Sequence, residues 1–300
     1  MLVIGSRGSQ LALWQARWVA DRLAELGHAS RIEIIHTTGD QITDVALAKV
    51  GTKGLFTKEI EEALLAGTID LAVHSLKDMP TDIPAGLELA AVPAREDPRD
   101  AIVGVRLDDL KPGARVGTSS LRRSAQLRAI RPDVAVEPIR GNLDTRLRKL
   151  DEGLYDAIIL ASAGLRRLGW GDRIAELLPP KTMCPAVGQG ALAVETRADG
   201  GESAMACRKL DHPATRAAVT AERAALRALG GGCQVPIGAH ATVGEGRLEL
   251  RAVVISPDGS EIVRRETAGA AADAETIGAA LGEELLAAGA SKILKAVYGS

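Results

Sequence analysis

Three groupings of residues in the 300-residue chain have the composition to do chemistry. The first is Cys233 in GGGCQVPIG (230–238), where glycines permit backbone shapes closed to other residues and Pro236 fixes a dihedral and removes a donor. That is a built loop, and a thiol on it is presented to something. No basic neighbour lowers its pKa and no histidine stands beside it in sequence, so a cysteine-hydrolase role is weakly supported. A covalent attachment point and an inert loop thiol remain as readings. The second grouping is HSLKDMP (74–80), with Asp78 next to Lys77 at the carboxyl end of an apolar run, and with Lys49 and Lys53 of AKVGTKGLF as further cations. One carboxylate among cations is ionised and can stabilise a developing positive charge. Asp78 is equally well placed as a turn former before Pro80, and His74, inside the run, reads as a satisfied core histidine.

The third grouping is a recurrence of arginine beside small polar residues: Arg7 and Ser9 near the N-terminus, Thr118, Ser119, Ser120, Arg122 and Arg123 in GTSSLRR, and Arg140, Gly141, Asn142 and Arg146 in RGNLDTRLRK. A guanidinium fork binds a carboxylate through two charge-assisted hydrogen bonds, each worth about 1.5–3 kcal/mol. Several of them imply a polyanionic ligand. Taken singly, each arginine also fits a solvated helix face, and each Ser, Thr or Asn a helix cap.

The elements that must position these groups follow from periodicity. LVIGS (2–6) reads as a strand, Ser9 as the cap of a helix over 9–26 with Ala12, Ala16, Val19, Leu23 and Leu26 on one face, then strand 31–35, helix 57–67 and strand 70–76. Such alternation predicts an α/β lobe with a mainly parallel sheet. After the Pro- and charge-rich segment 92–101 the pattern restarts with ARVGTSS, SLRRSAQLRAI, VAVEPI, LDTRLRKL and DAIILAS, a second lobe of the same class. AVGQGALAVET (186–196) reads as a return passage that completes the first lobe, so two crossings join the lobes around a cleft. From residue 212 a helix (213–229), a hairpin around SPDGS and a helix over 274–289 make a small α+β domain. The expected division is 1–94 plus 187–211, 95–186 and 212–300. In parallel lobes the strand carboxyl ends and helix N-termini line the crevice, where the arginines recur.

Composition narrows the function. Lys plus Arg number 37 against 39 Asp plus Glu, a formal charge of −2, which argues against attachment to nucleic acid through overall charge. Aromatics are 2% of the chain and Phe56 is its one phenylalanine, so base-stacking platforms are not expected. The three cysteines, Cys184, Cys207 and Cys233, are far apart and lack metal-ligand spacing, against a disulfide framework or a zinc site. Neither a signal sequence nor an apolar run of membrane length is visible, and a cytoplasmic location without membrane partners is expected.

The blocks SRGSQLALWQ, AKVGTKGLFTKEIE, DLAVHSLKDMPT, REDPRDA, VGTSSLRRSAQL, RGNLDTRLRKLD, PAVGQGALAVE and GGCQVPIG resemble, in order and in register, the porphobilinogen deaminase (hydroxymethylbilane synthase) family along essentially the whole chain. The resemblance implies two type II periplasmic-binding-protein lobes plus a small third domain. It also implies a transferase of tetrapyrrole and heme biosynthesis that condenses four porphobilinogen molecules with loss of ammonia onto a dipyrromethane cofactor held by Cys233, then releases hydroxymethylbilane by hydrolysis. Asp78 becomes the catalytic carboxylate, facing pyrrole N–H groups and the cationic azafulvene. Arg7, Ser9, Gln15, Lys49, Lys53, Phe56, Lys77, Thr118, Ser119, Ser120, Arg122, Arg123, Arg140, Gly141, Asn142, Arg146 and Gln189 match cofactor- and substrate-binding positions. A monomer that passes product to the next pathway enzyme is the family expectation. Thr38 stands where many relatives carry Arg, so no carboxylate contact is assigned there, and Cys184 and Cys207 are expected to be structural. A two-lobe carboxylate- or effector-binding module without catalysis accounts for the cleft and the arginines, but not for the Cys233 loop or the third domain.

Overall fold

The structure, a computed structural model, describes residues 1–41, 56–231 and 235–298. Lys49, Lys53 and Cys233 therefore lie outside the described residues. The chain forms two compact units, one of Met1–Glu96 and Ala191–Arg216, the other of Asp97–Gly190 and Ala217–Ser300.

The first unit is built on β1 (Leu2–Ser6), β2 (Ser30–Ile34), β3 (Leu71–Ser75) and β4 (Leu87–Ala91), with helices α1 (Gln10–Glu25), α2 (Thr38–Gln41) and α3 (Lys58–Leu65) between them. Ser9 caps α1 by accepting from the Ala12 N–H at 3.3 Å. Ala16, Val19 and Leu23 are fully buried on the inner face of α1, whereas Leu26, expected on it, is 38% exposed because the helix ends at Glu25 and Leu26 is its C-cap. The period-2 alternation of β3 sends Leu71 and Val73 to the α1 side of the sheet and Ala72 to Ile60 and Leu64 of α3 on the other side. The return passage is a strand that belongs to this sheet, and it pairs antiparallel with β3, Ala193 opposite His74, and with β4. The order is β2-β1-β3-return strand-β4.

In the second unit β5 (Asp100–Gly104), β6 (Arg115–Gly117), β7 (Ala135–Glu137), β8 (Ala157–Ala161) and β9 (Ile174–Leu178) alternate with α4 (Leu121–Ile130), α5 (Leu143–Asp151) and α6 (Ser162–Arg167). The order β7-β6-β8-β5-β9 again has four parallel strands and one antiparallel strand, β5, in the fourth place. Leu127 of α4 and Leu147 of α5 belong to two cores on opposite faces of this sheet. Leu192–Arg197 is β10, the return strand of the first sheet, and α7 (Glu202–Arg208) and α8 (Pro213–Ala228) follow it.

The remaining elements are β11 (Ile237–Gly244), β12 (Arg247–Ile255) and β13 (Ile262–Ala270), an antiparallel sheet, and α9 (Ala274–Leu285) and α10 (Ser291–Tyr298). The SPDGS hairpin closes with the Ser256 N–H donating to the Glu261 carbonyl at 2.8 Å. α9 lies so close to α8 that a Cβ on Gly278 would sit 2.1 Å from the Ala221 carbonyl oxygen. The helix expected over 274–289 stops earlier, and Gly289 takes φ 109° before α10 begins. Inside this unit the buried Glu222 carboxylate of α8 accepts from the Gly188 and Ala241 N–H groups, each at 2.7 Å, which ties the loop before β10 to β11.

Candidate active site

In the first unit Arg7, Ser9, Gln15, Phe56 and Asp78 line one cavity of about 80 Å³, together with Thr57, His74 and Ser75. Each reaches it for a local reason. Arg7 ends the extended run of β1, Ser9 opens α1, and Gln15 is buried one and a half turns further along the same helix, where its Nε2 donates to Ser75 Oγ at 2.9 Å. Leu76–Asp78 form a single 3₁₀ turn after β3, and this turns Asp78 outward while Leu76 stays in the core. Asp78 is exposed and Lys77, beside it, is half-buried. The Arg7 guanidinium stands 4.1 Å from the centroid of the Phe56 ring, a cation–π contact that holds the cation over an apolar face. A cation, a carboxylate and the Ser9-capped N-terminus of α1 thus share one small volume, with the remaining N–H groups of the first turn of α1 adding to the attraction for anions.

His74 is buried, as expected, and its Nε2 lies 3.1 Å from Oε2 of the fully buried Glu195 on β10. Sequence reasoning missed Glu195, which is 121 positions away and carries no local signal.

In the second unit the expected residues fall into two groups. Thr118, Ser119 and Ser120 follow β6, and Ser120 caps α4 by accepting from the Arg123 N–H at 3.4 Å. Arg140, Gly141 and Asn142 follow β7, and Asn142 precedes α5 without a side-chain cap bond. Ser119 Oγ joins the two loops, donating to the Ile139 carbonyl at 2.7 Å and accepting from the Ile139 N–H at 3.0 Å. Arg146 reaches back one turn, its Nε donating to the Gly141 carbonyl at 2.8 Å. Gly141 has φ 110°, and a Cβ there would lie 2.6 Å from Thr145, so the turn that presents Arg140 and Asn142 needs glycine.

Arg122, Arg123 and Gln189 form the other group, and they converge on Asp100, the first residue of β5, which is fully buried. Arg122 Nη1 donates to Asp100 Oδ2 at 2.6 Å and to the Cys184 carbonyl at 2.6 Å, Arg123 Nε donates to Asp100 Oδ1 at 2.9 Å, and Gln189 Nε2 donates to the same oxygen at 2.9 Å. Burial alone raises a carboxyl pKa, but the two guanidiniums outweigh it and hold Asp100 well below the usual carboxylate range. Two guanidiniums and a side-chain amide thus share one buried carboxylate. Asp100 was also missed at the sequence level, although it stands in the block REDPRDA.

Cys184 and Cys207 are free and buried, and burial pushes both thiols up to about 12, which makes them inert packing groups. The Thr38 N–H donates to Glu59 Oε1 at 2.9 Å. Among the described residues no group of three or more His, Cys, Asp or Glu is placed to hold a metal ion.

Comparison with known proteins bears on this geometry. A sequence model described as porphobilinogen deaminase, dipyromethane cofactor binding domain, matches residues 2–205, and one described as porphobilinogen deaminase, C-terminal domain, matches 216–287. Porphobilinogen deaminase of Syntrophobacter fumaroxidans is 54% identical over 300 residues, covering 98% of this chain and 97% of its own. That of Desulforudis audaxviator is 55% identical over 301 residues, covering 99% and 97%. Among solved structures, a periplasmic substrate-binding protein of an ABC transporter from Coxiella burnetii superposes with a TM-score of 0.44 at 12% identity, covering 74% of this chain and 97% of that one.

Proposed function

The chain belongs to the porphobilinogen deaminase family, and from that premise we propose which of its residues carry the reaction. It is a transferase of tetrapyrrole biosynthesis, joining porphobilinogen units head to tail with loss of ammonia on a dipyrromethane cofactor and releasing linear hydroxymethylbilane. When bound, the cofactor supplies the nucleophile, the free α-carbon of its terminal pyrrole. We assign its thioether to Cys233.

The donor set suits such a group. Pyrrole N–H groups need an anionic acceptor, and acetate and propionate arms need cations and N–H donors. Asp78 is the acceptor: its carboxylate, exposed on the 3₁₀ turn, takes the N–H bonds and stabilises the azafulvene left when porphobilinogen loses ammonia. Arg7, fixed over Phe56, and Ser9, at the start of α1, bind carboxylate arms on the same side, and Gln15, held by Ser75, orients the ring edge. Ser119, Ser120, Arg140, Asn142 and Arg146, gathered on the two joined loops of the second unit, take further arms, as do Thr118 and Lys77. Arg122, Arg123 and Gln189, ordered around Asp100 at the start of α4, are assigned to the same carboxylated ligand. Lys49 and Lys53 complete the cationic set.

The observation that carries this reading is the presence of Asp78 and Arg7 on one cavity wall, in a chain 54% identical to a porphobilinogen deaminase along nearly its whole length. No helix among the described residues is long and apolar enough to cross a membrane. We place the protein in the cytoplasm as a monomer that hands its product to the next enzyme of the pathway.

Intact mass of the denatured protein beside its Cys233→Ala variant tests the assignment. An adduct of two pyrrole units on the wild type alone, growing by single units on exposure to porphobilinogen, is the expected result. A wild-type chain that porphobilinogen never loads would overturn it in favour of a carboxylate-binding module without catalysis.

A further inference from the structure

His74 offers more than a core contact. The alternation of β3 puts its side chain on the face of Ala72, toward α3, yet it also lines the cavity that holds Asp78. Its Nε2 is engaged by Glu195, and among the described residues no polar group engages Nδ1. Nδ1 is therefore unpartnered without being sealed from solvent, and it opens on that cavity. The groups facing it are Glu195 of β10, Glu61 of α3, Asp78 of the 3₁₀ turn, and Arg7 beyond β1. Glu195 is fully buried, and its Oε1, like Oε1 of Glu61, has no hydrogen-bond partner among the described residues. Two carboxylates and an imidazole thus meet at one pocket, each carboxylate with one oxygen unpartnered among the described residues, an arrangement able to take up and release a proton. Burial, followed by the nearby Glu195 charge, raises the Glu61 carboxyl above its ordinary range, while His74 counteracts.

The reaction assigned above needs such a proton store. Each addition breaks one C–N bond, whose electron pair leaves on ammonia, and one C–H bond at the pyrrole α-carbon that has formed the new C–C bond. The C–H electron pair restores that ring, and the released proton ends on ammonia as ammonium, so the carrier is regenerated each cycle. We propose that His74, oriented by Glu195, is this carrier: Nδ1 accepts the α-proton after the new C–C bond has formed and passes it to the ammonia already released from the incoming unit. Glu195 is a positioning residue that keeps the Nε2–H tautomer and stabilises the imidazolium. The proposal rests on the functional reading above, and Asp78 keeps its separate role of stabilising the cationic substrate.

The test uses the full-length holoenzyme and two variants, His74→Gln and Glu195→Gln. With ¹⁵N-histidine labelling, the His74 imidazole is expected as the Nε2–H tautomer, and Glu195→Gln is expected to redistribute the two tautomers, because the carboxylate that accepts the Nε2–H is gone. With porphobilinogen deuterated at the free α-carbon, His74→Gln is expected to elongate about 10²-fold more slowly or worse and to gain a primary isotope effect that the wild type lacks. A His74 ring unaffected by Glu195→Gln, or a slowed His74→Gln enzyme with no isotope effect, overturns the proposal. If His74→Gln does not fold, His74→Asn is measured in its place, and the presence or absence of the isotope effect in that variant decides. A wild type that does not consume porphobilinogen overturns instead the functional reading on which the proposal stands.

Discussion

The two five-stranded sheets share one plan, four parallel strands with an antiparallel strand in the fourth place, and each inserted strand carries one fully buried acid. On β5 it is Asp100, on β10 it is Glu195. Their partners differ. Asp100 is held by two guanidiniums, which never lose their charge at accessible pH, so the cluster is permanently ionised and works as a rivet between β5 and α4. Glu195 is held by an imidazole, the side chain whose charge is most easily changed near neutral pH. The same topological position thus meets two guanidiniums in one sheet and a single imidazole in the other.

The sharpest way to break this comparison is Asp100→Asn. Removing one member of a buried ion cluster leaves Arg122 and Arg123 facing each other, and the expected loss is about 3–5 kcal/mol of stability at neutral pH, read from a urea midpoint. The sign with pH follows from the lowered Asp100 carboxyl. Its stabilisation is fully present above the unfolded carboxylate value and is lost as pH falls through the folded one. The gap between wild type and variant therefore stays constant from neutral pH down to about 4 and closes only in stronger acid. A variant as stable as the wild type would show that Asp100 is no rivet.

Asp78→Asn sets a catalytic acid against that structural one. Its side chain is exposed, so melting is expected to be unchanged while turnover falls about 10²–10³-fold, the scale of removing one preorganised charge from a reacting centre. Wild-type rates in this variant would remove Asp78 from the mechanism. Arg140→Leu, on the loop beyond β7, is expected to weaken handling of the carboxylated chain by about 1.5–3 kcal/mol, the worth of one charge-assisted bond. Unchanged assembly kinetics and cofactor content would rule the assignment out. The smallest effect is expected from Ser9→Ala, about 1 kcal/mol of stability from the lost α1 cap, measured by thermal melting.

The site was partly legible before the fold was known. Ser9 and Ser120 declare themselves as caps by standing one residue before apolar-periodic helices, and both accept the expected N–H bonds. Gly141 was legible only as a member of the polar junction RGN, and its positive φ, which makes the turn, belongs to the fold. Arg122 and Arg123 sit at a helix start in sequence as in the structure, but their burial against Asp100 was not visible, since an arginine on an amphipathic helix carries the same local pattern whether it faces water or a carboxylate.

Periodicity, caps and turn residues are local, and they sufficed for the alternation of strands and helices, the restart after residue 92, the SPDGS hairpin and the polar junctions where a polyanion would bind. Strand order, the register that sets Ala193 opposite His74, and the identity of each buried partner required the folded chain. Glu195 reads in sequence as an ordinary charged residue of a strand. It becomes the partner of His74 only when a segment from beyond the second lobe inserts antiparallel beside β3, because the cost of burying a charge is met by whichever residue the fold brings within hydrogen-bond distance, and that residue is 121 positions away.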